Sequence, residues 1–152
     1  MSRRGIAGLA AGFAALLPVL ALAAVQPHRP PNVNYALFCM GCHTPEGEGS
    51  VLGRIPQLKG SVGHFTRLPE GRRYVANIPG VINAELGPED TAALLNWVVT
   101  TYGGASRPEA FEPFTGEEVK RHWSNAPGDI FALRAKARAL LAAQGHAIDP
   151  YP

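Results

Sequence analysis

Cys39-Met40-Gly41-Cys42-His43 is the stretch on which the reading of this chain turns, and its two cysteines are the only two in 152 residues. Two thiols three positions apart can add to the two vinyl groups on one porphyrin edge. The adjoining imidazole is then held beneath the iron as an axial ligand. The motif therefore predicts one covalent haem c, with Cys39 and Cys42 as its anchors and His43 as the proximal iron ligand.

The same residue types serve other chemistries: a redox dithiol, half of a zinc site, or a plain disulfide. A zinc site would want a second ligand pair at similar spacing, and His28, His64, His122 and His146 each stand without a matching neighbour. A thioredoxin-like dithiol would want a preceding strand within a βαβ pattern, whereas the residues from Asn34 to Met40 read as a short helix.

Working outward, Ser2-Arg3-Arg4 is a basic start, Gly5 to Leu22 is an apolar run broken by Pro18, and Ala21-Leu22-Ala23 is a small-x-small cleavage site. Residues 1–23 thus read as a secretory signal peptide, which places the protein in the bacterial periplasm. Membrane association would follow only if that segment were retained. Loss of Arg3 and Arg4 leaves 12 basic residues against 12 acidic ones. Such a balance argues against nucleic acid as a partner and against strong steering toward an acidic one.

Residues 24–152 are the size of one domain, and a bound haem would add an apolar plate to its core. Pro27, Pro30 and Pro31 predict an extended lead-in, with Asn32 or Asn34 capping the helix that enters the motif. Thr44 to Gly60 carries four glycines and two prolines and reads as a loop wrapping the haem edge. Ser61 to Arg73 reads as a short helix interrupted around Pro69 and Gly71. Pro88 with Glu89 and Asp90 opens a helix that Gly103-Gly104 ends, and Leu95, Val98, Val99 and Tyr102 form its buried face.

Residues 105–152 read as a C-terminal helical extension. Thr115 and Glu118 match a capping box for a helix running through Trp123, and Asp129 caps a helix over Ile130–Gln144. In the latter, Ile130, Leu133, Ala137, Leu140, Leu141 and Gln144 share a face laid over the haem domain, with Arg134, Lys136 and Arg138 in solvent.

The stretch from Asn32 to Tyr102 resembles the class I mono-haem c-type cytochromes. The likeness rests on the haem motif ending an N-terminal helix, on Pro56-x-Leu58-x-Gly60, and on a final amphipathic helix bearing aromatic residues. It implies an all-α fold, a small helical haem domain over residues 24–104. It also implies that the Pro56 carbonyl accepts the proton of the His43 ring, and that the first and last helices cross, with Phe38 against Trp97 or Tyr102. In such proteins a basic residue near Arg72 and Arg73 can pair with a haem propionate.

The chain departs from the family at the sixth iron ligand, usually a methionine before the last helix. Met1 belongs to the signal peptide and Met40 lies between the two anchor cysteines. The corresponding stretch reads Ile78-Pro79-Gly80-Val81-Ile82-Asn83. Three arrangements follow: His64 as distal ligand; a five-coordinate or water-ligated iron with Tyr74, Asn77 or Asn83 lining its pocket; or a ligand from a partner or from His122 or His146. The resemblance implies an electron carrier, not an enzyme, working between redox proteins such as a periplasmic dehydrogenase or reductase. An open distal site would instead make a small-ligand binder, and the extension could dock a fixed haem subunit in a larger oxidoreductase.

Overall fold

The computed structural model describes residues 28–146 and 148, so the signal peptide read over residues 1–23 lies outside the described part. Among the described residues there are α-helices, one 3-10 turn and no strand. The helices are α1 (Pro31–Phe38), α2 (Val62–Phe65), α3 (Pro69–Asn77), α4 (Pro79–Ile82), α5 (Pro88–Tyr102), α6 (Gly116–Ser124) and α7 (Ile130–Ala143). The only pairing of strand type among these residues is an isolated bridge between Ser50 and Ile55. The chain is all-α, as expected.

Two helices begin where proline was expected to hold the backbone extended or to interrupt it, and a third also starts on a proline. Pro30 is the N-cap of α1 and Pro31 its first residue; neither Asn32 nor Asn34 caps it. Asn34 is instead buried, and its side-chain oxygen accepts a hydrogen bond from Arg29 at 3.2 Å. Pro69 starts α3 in the same way, and Pro79 starts α4. The first-turn N–H groups of a helix have no partner within it, so a proline there loses nothing and arrives with its φ already set.

α5 is the central element. Its expected face of Leu95, Val98, Val99 and Tyr102 is buried, and it opens at Pro88 with two acids in its positive first turn. α1 packs across it. Tyr35, not Phe38, makes the aromatic contact, with its ring 5.2 Å from those of both Trp97 and Tyr102. Phe38 is 37% exposed, since Tyr35 already fills the space against α5.

The C-terminal helices complete the same core. Phe114, Val119, Ala137 and Leu141 cluster with Phe65, Val75, Ala76 and Leu95, so the boundary at residue 104 is one of sequence and not of packing. Both expected caps form: Thr115 accepts from the Glu118 N–H at 3.1 Å, and Asp129 from those of Phe131 and Ala132 at 2.8 and 3.0 Å. α7 lies on α3 through Leu133, Ala137 and Leu141, while Leu140 and Gln144 stay outside. Arg134, expected in solvent, is only 6% exposed.

Candidate functional site

The attachment motif continues α1 as one further helical turn. The Cys39 N–H donates to the Tyr35 carbonyl at 2.9 Å, and the N–H groups of Cys42 and His43 reach the Cys39 carbonyl at 3.0 and 2.8 Å. This turn presents two free thiols and the half-buried His43 within five residues. No three His, Cys, Asp or Glu side chains converge as a metal cluster among the described residues. Burial, with the second thiol beside it, pushes the Cys39 thiol up to about 11. A redox dithiol needs the opposite shift, because the thiolate is the attacking species.

Two tyrosines hold the chain just after His43, and sequence reasoning had given neither hydroxyl a role. The Tyr35 hydroxyl donates to the Thr44 carbonyl and that of Tyr102 to the Pro45 carbonyl, both at 2.7 Å. Burial pushes the Tyr35 phenol well above its usual range, so it remains a neutral donor. Gly47 then turns with φ +76° directly over Tyr102, where a Cβ would come within 2.6 Å of the ring. Its carbonyl accepts from Leu58 and Lys59 at 2.9 and 3.0 Å, which closes residues 47–58 into a tight loop.

This loop is one wall of a cavity of about 620 Å³, whose other side is formed by His64, Arg134 and Ile148. Pro56 lies in the wall, but the Nδ1 of His43 is buried without a hydrogen-bond partner, so the expected bond to the Pro56 carbonyl is not made. The Ser50–Ile55 bridge explains the difference, because it folds that carbonyl over Gly49, to within 2.8 Å of where a Cβ would stand. Burial pushes the His43 pKa down, and a backbone contact from Glu48 partly opposes this. The neutral ring that results is the form that ligates iron.

The candidates for the opposite face of the iron separate clearly. His28 pairs with Asp90 at 2.7 Å, and His122 lies 3.3 Å from Glu118 on α6. Tyr74 stacks on Phe65 at 5.1 Å, and the Asn77 amide donates to the Arg73 carbonyl at 2.9 Å. Asn83 is exposed at the end of α4. His64 alone among them lines the cavity, with its Nδ1 buried and without a partner. Burial, then the neighbouring His146 and Arg67, push its pKa down. The His146 ring stacks on it at 4.9 Å.

The basic residues expected near a propionate lie elsewhere. Arg72 holds Glu118 through two 2.6 Å bonds and covers the Phe114 ring at 3.9 Å, and Arg73 donates to the Asn125 carbonyl. Arg134 on α7, joined by Lys59, supplies positive charge to the cavity instead. A buried guanidinium facing a cavity suits a carboxylate. The attachment turn therefore fits a haem, with two thiols at the spacing of two vinyl groups and an adjoining imidazole, while Arg134 and Lys59 lie on a cavity whose lining does not include Cys39, Cys42 or His43.

No family model matches the chain. Two curated proteins named cytochrome c-552, one from Thermus thermophilus and one from a particular strain of that organism, are each 34% identical to it over 118 aligned residues. Each alignment covers 64% of this chain, with 89% of the first relative and 79% of the second.

Proposed function

This chain belongs to the class I c-type cytochromes and carries covalent haem c, and from that premise we propose that it is a periplasmic carrier of single electrons between redox proteins. The haem supplies an iron that cycles between ferrous and ferric states. Cys39 and Cys42 would anchor it through two thioethers and His43 would be its iron ligand, with Arg134 and Lys59 as nearby positive charges that could meet its carboxylates. The observation that carries the reading is the turn from Cys39 to His43, with the chain after it fixed through Tyr35 and Tyr102 to α1 and α5.

The sixth ligand in this reading is His64. What supports it is the engagement of His28, His122, Tyr74 and Asn77 elsewhere. Paired imidazoles would lower the reduction potential relative to a histidine–methionine pair. The partners are exported proteins such as a dehydrogenase or reductase, met weakly and transiently through the exposed apolar residues Leu37, Phe38 and Met40 around the anchor cysteines. No helix among the described residues is long and apolar enough to cross a membrane.

Optical spectra of the oxidised and reduced holoprotein, with and without carbon monoxide, test the proposal. A low-spin reduced spectrum that carbon monoxide alters only slowly, with a one-electron redox titration, is expected. High-spin bands and immediate carbon monoxide binding would instead identify an open distal site and a small-ligand binder. Recovery of the haem in the periplasmic fraction of cells is the matching test of location.

A further inference from the structure

We propose that the outer face of α1, together with the turn that carries the two cysteines, is an uncharged apolar docking surface, and that the redox partner meets it with an uncharged apolar surface of its own. The inference rests on the chain being an electron carrier and adds the chemistry by which its partner is recognised.

Val33, Leu37 and Met40 follow one another at spacings of four and three residues, which places them on one side of the helix and its continuing turn. They are exposed by 39%, 59% and 40%, and Phe38 beside them by 37%. Asn34 and Tyr35 are the buried residues of α1, and the Tyr35 ring rests on Trp97 and Tyr102 of α5. The helix therefore packs by one side and presents an apolar stripe on the other. Cys42 is exposed on the same turn and Cys39 is half-buried, so the porphyrin edge bonded to them adjoins this stripe.

Charge is missing from the whole segment. From Pro30 to Pro45 the chain holds no Lys, Arg, Asp or Glu; the flanking charges are Arg29 and Glu46, and Arg29 is turned back onto the Asn34 side-chain oxygen at 3.2 Å. α6 is built the other way, with Glu117, Glu118, Lys120 and Arg121 along its length. Phe and Met are residue types that gather at the centres of interfaces, from which charges are excluded. A charged partner surface would give up its hydration against the α1 stripe and find no counter-charge there, whereas an apolar one gains by leaving water. Encounter on such a face is not steered by charge, so added salt leaves it nearly unchanged.

Cyclic voltammetry of the holoprotein on gold coated with monolayers ending in methyl, carboxylate or ammonium groups replaces the partner by three defined surfaces. The methyl surface should give a one-electron wave about tenfold larger than either charged surface, and hold it from about 10 mM to about 0.5 M salt. Leu37→Glu and Leu37→Lys place a charge of either sign on the stripe, and each should cut that wave about tenfold. Leu140→Glu, which charges an exposed leucine on α7, should leave it as in wild type. Full waves in both Leu37 variants, or an equal loss in Leu140→Glu, would overturn the assignment to α1. A larger wave on a charged surface that salt abolishes overturns the uncharged partner and leaves the carrier standing. Absence of a wave on all three surfaces, from protein whose haem is attached, removes the carrier and the docking surface together.

Discussion

The part of the molecule around the attachment motif and the part built by α3, α5, α6 and α7 satisfy their apolar residues in opposite ways. In the helical part Phe65, Val75, Leu95, Phe114, Val119, Ala137 and Leu141 are buried against one another. Around the motif, Val33, Leu37, Phe38, Met40, Val51 and Leu52 face outward, Leu52 completely. One part completes its core with its own side chains, whereas the other leaves a run of apolar side chains outward around the haem-attachment turn.

Loss of the covalent haem should break this comparison open, and it carries the largest expected effect. In Cys39→Ser/Cys42→Ser protein no haem should remain attached after denaturation and extraction. Hydrogen exchange should then speed up by orders of magnitude in α1 and residues 44–60, while α5 and α7 keep most of their protection. Uniform protection across both parts would show that the motif region holds itself together without its cofactor.

What was legible in the sequence divides along the same line. The motif could be read because its chemistry is local, within five residues. α5 could be read because proline, acids and an apolar face agree over one helix, and the caps at Thr115 and Asp129 are equally local. Pro30, Pro31 and Pro69 misled, because a proline that starts a helix and one that prevents it look alike until the following turn is seen to pack. Arg134 was assigned to solvent because helical periodicity cannot reveal a cavity made by residues 48–61 of a distant loop. Arg138, also assigned to solvent, is half-buried because its guanidinium donates to the Ile148 carbonyl at 3.0 Å. The only available signal for Arg134 was its position one residue after the apolar Leu133, too weak to act on.

Breaking the tie between α3 and α6 should have a smaller effect, confined to the helical part. Arg72 and Glu118 are 15% and 14% exposed, so Glu118→Gln leaves a largely buried guanidinium without its counter-charge and should cost about 3 kcal/mol. The same cluster makes the protein acid-sensitive. Burial alone would raise the Glu118 carboxyl, but Arg72 and His122 outweigh it and hold it below the usual range. Burial pushes His122 down, against the pull of Glu118. Both folded pKa values are depressed, so both contributions are complete above the ordinary histidine value of 6.5 and are lost as pH falls, His122 first and Glu118 in more acid solution. Urea unfolding below about pH 4.5 should show the Glu118 loss in wild type, and that acid-side loss should be absent from Glu118→Gln.

The finest test sets two small and nearly equal losses against each other. Tyr35→Phe removes the hydrogen bond to the Thr44 carbonyl, and Thr115→Ala removes the cap on α6; each should cost about 1 kcal/mol. Equal costs in stability should nevertheless have unequal consequences at the iron. Thr44 follows His43 directly, so freeing its carbonyl loosens the residue that carries the proximal imidazole. Thr115 reaches the cavity only through packing shared by several helices. The reduction potential and the near-ultraviolet haem band should therefore shift in Tyr35→Phe and stay fixed in Thr115→Ala. Identical shifts in the two variants would mean that strain spreads through the whole core, and that the haem-facing part is not held separately by its own tyrosine bonds.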